Sequence, residues 1–150
     1  MKIPKIFRLD NPSNALLDTR EEVGFYPWRW QVPDNRYNFS VAFDQLFEEQ
    51  GFDSKYGPTT CEIRSKWYDG NQKHQQGGWW NGNSWPYSTA HILSSLAVHL
   101  RLYKQQNPHI TNEHYIRALH KYAITQYKHN VPYVAECHSP QGDFWVCDSS

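Results

Sequence analysis

The run Ser88-Thr89-Ala90-His91-Ile92-Leu93-Ser94-Ser95-Leu96-Ala97-Val98-His99-Leu100-Arg101-Leu102-Tyr103-Lys104-Gln105-Gln106 decides the fold class. Leu93, Leu96, Ala97, Leu100 and Tyr103 recur at the spacing of one helix face, and Asn107-Pro108 closes the run. Capped by Ser88 or Thr89, such a helix spans roughly 28 Å at ~1.5 Å per residue. A second helix is expected from Asn112 to about Lys128, capped by Thr111, with Ile116, Leu119, Ala123 and Tyr127 as its apolar stripe. The short link between them makes an antiparallel helical hairpin. Upstream, Asn38 or Ser40 caps a helix running to about Gln50, with Phe39, Phe43, Leu46 and Phe47 on one face and Gly51 as its stop. The chain reads as all-α.

What lies between the helices is aromatic and irregular. Gly24-Phe25-Tyr26-Pro27-Trp28-Arg29-Trp30-Gln31-Val32-Pro33 is bracketed by prolines, which points to an extended or looping path. From Phe52 to Ser84 no period of either kind is sustained, and so long a connection is usually functional or disordered. It ends in Gly77-Gly78-Trp79-Trp80-Asn81-Gly82-Asn83-Ser84-Trp85-Pro86-Tyr87-Ser88, directly ahead of the long helix. Indoles beside amides and flexible backbone suit a sugar, whose C–H faces stack on rings and whose hydroxyls meet amide groups. The unpaired N–H groups of the following helix terminus face the same place. The competing reading is an aromatic structural loop.

At 150 residues the chain is one domain's worth, long enough for a core. Fifteen basic side chains balance fifteen acidic ones, so no basic stripe or acidic tail recommends nucleic acid or an anionic membrane as a partner. No stretch approaches the ~18 apolar residues of a membrane span. Met1 to Leu17 lacks the continuous apolar core of a signal peptide, and the compartment stays open. Cys61, Cys137 and Cys147 are an odd count without metal-ligand spacing; reduced thiols are the default, with a Cys137–Cys147 bridge left open. His74, His91 and His138 share no metal-ligand spacing either, so neither metal nor cofactor is expected.

Four motifs occur in order: Gly24-Phe25-Tyr26-Pro27-Trp28, Tyr56-Gly57-Pro58-Thr59-Thr60, Trp80-Asn81-Gly82-Asn83-Ser84-Trp85-Pro86 and Glu136-Cys137-His138-Ser139-Pro140-Gln141-Gly142. Together they resemble the (α/α)6-barrel glycoside hydrolases, most closely the mannosylglycerate-hydrolase-like group related to glycoside hydrolase family 63. The resemblance implies a partial (α/α)6 toroid with long aromatic loops. Residues 1–22 are then an irregular lead-in and 23–150 the C-terminal part of a catalytic domain. It implies inverting hydrolysis of an α-linked glycoside, with Glu136 as the base that activates water. His138 stands where the family carries Tyr, and the family's Thr-Gly pair is reduced to Gln141-Gly142. Trp80, Asn81, Gly82 and Trp85 line the sugar site by the same resemblance, joined by Trp28 and Thr59.

Inverting hydrolysis needs two carboxyl groups ~6.5–9.5 Å apart, one protonated and one ionised. The family's acid is an aspartate in a Gly-Trp-Asp-like motif that this chain lacks. Asp10 and Asp18 have no aromatic neighbours, and nothing apolar enough to raise a carboxyl pKa lies near Asp69. The expectation is therefore a glycosidase piece that needs the remainder of the catalytic domain as its partner. The bland alternatives stand beside it. Glu136 reads also as a surface or salt-bridged glutamate, Trp28 as a plug at a barrel end, and Glu62 with Arg64 either as an ion pair orienting hydroxyls or as an exposed loop pair. For the whole chain, a sugar-binding remnant and a helical interaction module are the rivals.

Overall fold

Residues 19–70, 80–134, 136–143 and 145–147 are described by the structure, a computed structural model. The proline-bracketed aromatic run is not extended: Glu22–Trp30 forms a 3₁₀ helix with Pro27 inside it. The fixed φ of proline, about −65°, suits a 3₁₀ turn, so Pro27 costs only its missing N–H. Three residues per turn place every third side chain on one face, and Glu22, Phe25 and Trp28 are the element's buried residues. A second 3₁₀ helix, Phe39–Ala42, runs into a single α-turn, α1 (Phe43–Leu46). The helix expected to reach Gln50 thus stops at Leu46. Its chain folds back so that the Phe52 N–H bonds the Gln45 carbonyl at 3.0 Å. Gly51 is required by that return, because a Cβ there would lie 2.1 Å from the Gln45 oxygen.

Among the described residues, neither helix nor strand occurs between α1 and α2 (Pro86–Val98). α2 starts two residues ahead of the expected Ser88 cap, with Pro86 at its first turn, where a missing N–H costs nothing. It continues through a π turn (His99–Tyr103) and a 3₁₀ turn (Lys104–Gln106), so the helix expected to end at Gln106 does so. The wide π turn keeps both His99 and Tyr103 facing inward. Its core face is Ile92, Leu93, Leu96 and Tyr103, whereas Ala97 is exposed. α2 packs most extensively on the first 3₁₀ helix, and between them and α1 sits the aromatic core. There Phe25 stacks on Phe43 at 5.6 Å and meets Phe52 edge-on at 5.2 Å.

α3 (Asn112–Ile124) follows and packs on α2. Thr111 precedes it as expected, its N–H donating to His114 Nδ1 at 3.2 Å, a histidine version of the capping box. Two expectations fail here. The packed face is Tyr115, Ala118 and Tyr122, while the expected stripe is turned outward, with Ile116 60% and Leu119 39% exposed. The helix also stops at Ile124, because β1 (Tyr127–Lys128) and β2 (Val131–Pro132) form a hairpin. His129 and Asn130 link them at φ 53° and 62°, the left-handed pair of a type I′ turn. Cys137 and Cys147 are joined as a disulfide, with Cα atoms 5.0 Å apart, and Cys61 is a buried thiol. No helix among the described residues is long and apolar enough to cross a membrane.

Candidate active site

Loop segments meet in front of the α2 N-terminus through backbone pairing. Glu21 bridges Cys61, the Thr60 N–H bonds the Asn83 carbonyl at 3.2 Å, and Ser84 bridges His138. His138 bridges Trp145 on its other side. His138, two residues past Glu136, is therefore flanked by Ser84 on one side and Trp145 on the other. The Ser84 and His138 backbones exchange two hydrogen bonds, of 3.0 and 2.8 Å. The disulfide and a 3.0 Å bond from the Val146 N–H to the Cys137 carbonyl tie the same segment to that of Trp145.

Glu136 itself is exposed, immediately before the buried Cys137. Trp80 and Trp85 form one unit, stacked at 3.9 Å between centroids with 12° between planes. No ring fits between them, so a sugar would lie on the outer face of Trp80, which is 50% exposed. Asn81 donates Nδ2–H to the Trp67 carbonyl at 3.3 Å, and its Oδ1 has no partner among the described residues. Gly82 is buried at a close crossing, where a Cβ would come within 2.7 Å of the Asp69 carbonyl carbon. Gly77, Gly78, Trp79 and His74, like Asp10 and Asp18, lie outside the described residues.

The other expected contacts are placed elsewhere. Trp28 is a core side chain, packed at 4.9 Å on Phe43 with its indole N–H on Ser40 Oγ. Thr59 is fully buried, its N–H on the Phe52 carbonyl and its hydroxyl on the Cys61 carbonyl. Glu62 and Arg64 do pair, at 3.5 Å, but the Glu62 carboxylate is buried and also takes Arg20 at 2.8 Å. Arg64 reaches Glu48 at 2.6 Å as well, so the network braces the loops after α1.

His138, the departure from the family's tyrosine, is 1% exposed between Tyr56 (4.7 Å, tilted) and Trp145 (5.1 Å, edge-on). Its Nδ1–H donates to the Ser139 carbonyl at 2.7 Å, leaving the lone pair on Nε2, 4.0 Å from Asp143. Burial holds its pKa below the usual histidine value, with the Ser139 bond and Asp143 pulling the other way. Sequence reasoning passed over Glu22. It is 1% exposed with both carboxylate oxygens unpartnered among the described residues, and burial raises its pKa well above 4.5, a rise that nearby Ser88 partly offsets. Tyr26, whose hydroxyl bonds Ser88 Oγ, is pushed up to about 12, chiefly by burial. The period-three pattern Glu22, Phe25, Trp28 was the available signal. Among the described residues, no three His, Cys, Asp or Glu side chains are grouped to hold a metal ion.

The chain is similar to known proteins in two comparisons. A family model for the mannosylglycerate hydrolase MGH1-like glycoside hydrolase domain matches residues 5–147. A solved structure titled "Sialidase" superposes with a TM-score of 0.79 at 25% identity, over 97% of this chain and 13% of that chain. The chain thus spans a small part of the length of the solved structure it matches. No curated protein matches. A match over so much of the sequence, on a helical fold whose aromatic loops gather beside one carboxylate segment, shows that the chain belongs to the mannosylglycerate hydrolase MGH1-like glycoside hydrolase domain family.

Proposed function

We propose that the chain contributes to inverting hydrolysis of an α-linked O-glycosidic bond, as part of a longer enzyme built on an (α/α)6 toroid. Glu136 acts as general base, accepting a proton from the attacking water. The outer face of Trp80, backed by Trp85, carries the sugar ring, and Asn81 meets a hydroxyl. One observation carries this reading: the paired Ser84 and His138 backbones set the Glu136 segment beside the Trp85 segment. The exposure of Glu136 supports it, since a base must meet water. The leaving oxygen needs a proton donor as well. Glu22 is closed off from solvent and does not meet that demand, so the acid comes from the remainder of the catalytic domain.

Tryptophan emission on titration with monosaccharides and disaccharides tests the platform. A saturable change in the wild-type chain, abolished by Trp80→Ala, is the expected result. Silence towards every sugar would leave a helical module whose aromatics are core.

A further inference from the structure

Cys137 follows Glu136 directly, and three attachments converge on it. Its sulfur is bonded to that of Cys147, and its carbonyl accepts the N–H groups of Val146, at 3.0 Å, and Cys147, at 3.3 Å. One residue on, His138 exchanges backbone bonds with Ser84 and meets the Trp145 ring edge-on at 5.1 Å. Tyr133, ahead of Glu136, meets the same indole at 5.7 Å. The short arm 145–147 therefore clasps the chain on both sides of Glu136. Glu136 is itself exposed, so its neighbours set its place rather than burial of its own side chain.

Without its covalent link the clasp is weak, since two backbone bonds and edge-on ring contacts each contribute little net. The disulfide closes a loop whose ends are 10 residues apart and removes the freedom of that loop in the open chain. Cys137 is 0% exposed and Cys147 7%, so a reductant meets the bond through Cys147 as the arm opens. The third cysteine does not compete. Cys61 is a buried thiol, and burial pushes its pKa up, away from the thiolate that disulfide exchange requires.

We propose that the Cys137–Cys147 disulfide is a redox clasp on the Glu136 segment, closed where thiols are oxidised and opened by a dithiol reductant. Its catalytic consequence rests on Glu136 being the base, as proposed above. In opening, a reductant thiolate attacks the Cys147 sulfur and displaces Cys137 as a thiolate, which takes a proton. The second thiol of the reductant then displaces Cys147, leaving two cysteine thiols and the reductant as its own disulfide. The freed arm releases the Cys137 carbonyl, and the Glu136 carboxylate loses its fixed position.

Thiol titration of the full chain, unfolded without reductant, should count one thiol, Cys61, and three after dithiothreitol. Hydrogen exchange on the folded chain reads the clasp itself. Reduction should speed exchange at the His138, Val146 and Cys147 amides by about tenfold or more and lower the melting temperature by about 5–15 °C. Reoxidation should restore both, and Cys137→Ser combined with Cys147→Ser should match the reduced protein with no reductant present. Three thiols in the air-oxidised chain, or amide protection that reduction leaves unchanged, overturns the clasp whatever Glu136 does. Loosened amides with undiminished hydrolysis, by this chain joined to its upstream segment, would spare the clasp and remove Glu136 as the base.

Discussion

Ser40 shows how much one buried hydroxyl can organise. At 0% exposure its Oγ lies 3.1 Å from the Trp28 indole nitrogen, 3.0 Å from Gln106 Oε1 and 3.2 Å from His99 Nδ1. It joins the first 3₁₀ helix to the far end of the α2 helix. Ser40→Ala strands the buried Trp28 N–H, and a loss of about 1–3 kcal/mol in urea unfolding is expected. Glu22 works in the opposite sense. Its folded pKa lies above 4.5, so rising pH ionises the unfolded chain first and stability falls from pH 4.5 upward. Glu22→Gln, a neutral mimic of the protonated acid, should be the more stable protein at neutral pH, and the two should converge towards pH 4.5. The gap widens by about 1.4 kcal/mol for each pH unit over which the folded carboxyl keeps its proton. A melting-temperature difference between the two proteins that is the same at pH 5 and pH 8 would contradict this. Histidines held neutral by burial, His99 and His138 among them, weaken both proteins alike as pH falls below 6.5, and so cancel in the comparison. Glu136, Trp80, Trp85 and Asn81 stand out in the sequence as candidates because the chemistry proposed for them is local to their motifs. Glu22 was not, since its burial depends on α2, far along the chain.

Among the elements, the α2 helix was the easiest to read, because its period is long and Pro108 ends it. The first 3₁₀ helix was misread because prolines argue against an α-helix without arguing against a 3₁₀ one. The α3 face was misread for a different reason. The stripe Ile116, Leu119, Ala123 is a sound amphipathic pattern, yet the core is reached instead by Tyr115, Ala118 and Tyr122, one residue out of phase. Periodicity finds a helix, but with two apolar faces it does not choose between them. At the end of α1 the decisive contact is backbone on backbone. Gly51→Ala would drive a Cβ into the Gln45 carbonyl and break the return to Phe52. A lowering of the urea midpoint equivalent to about 1–3 kcal/mol is expected; an unchanged midpoint would show that the turn has room to give.

The molecule as a whole leaves apolar surface where a neighbour would fit. Ile116 and Leu119 are exposed three residues apart on one face of α3. Such a stripe favours association. Sedimentation should show the chain self-associating as concentration rises, and Ile116→Glu combined with Leu119→Lys should shift it towards monomer. A monomer at every concentration would count against an uncovered packing face. The same incompleteness governs the proposed chemistry: the proposed base Glu136 lies on a segment paired with that of Trp85, while the proton donor is proposed to come from elsewhere in the polypeptide. The most direct measurement is reducing-sugar release by this chain joined to its upstream segment, with and without Glu136→Gln. A kcat lowered by about 10²–10⁴-fold with KM little changed is what a general base at Glu136 requires. An undiminished kcat in the Gln variant would contradict it.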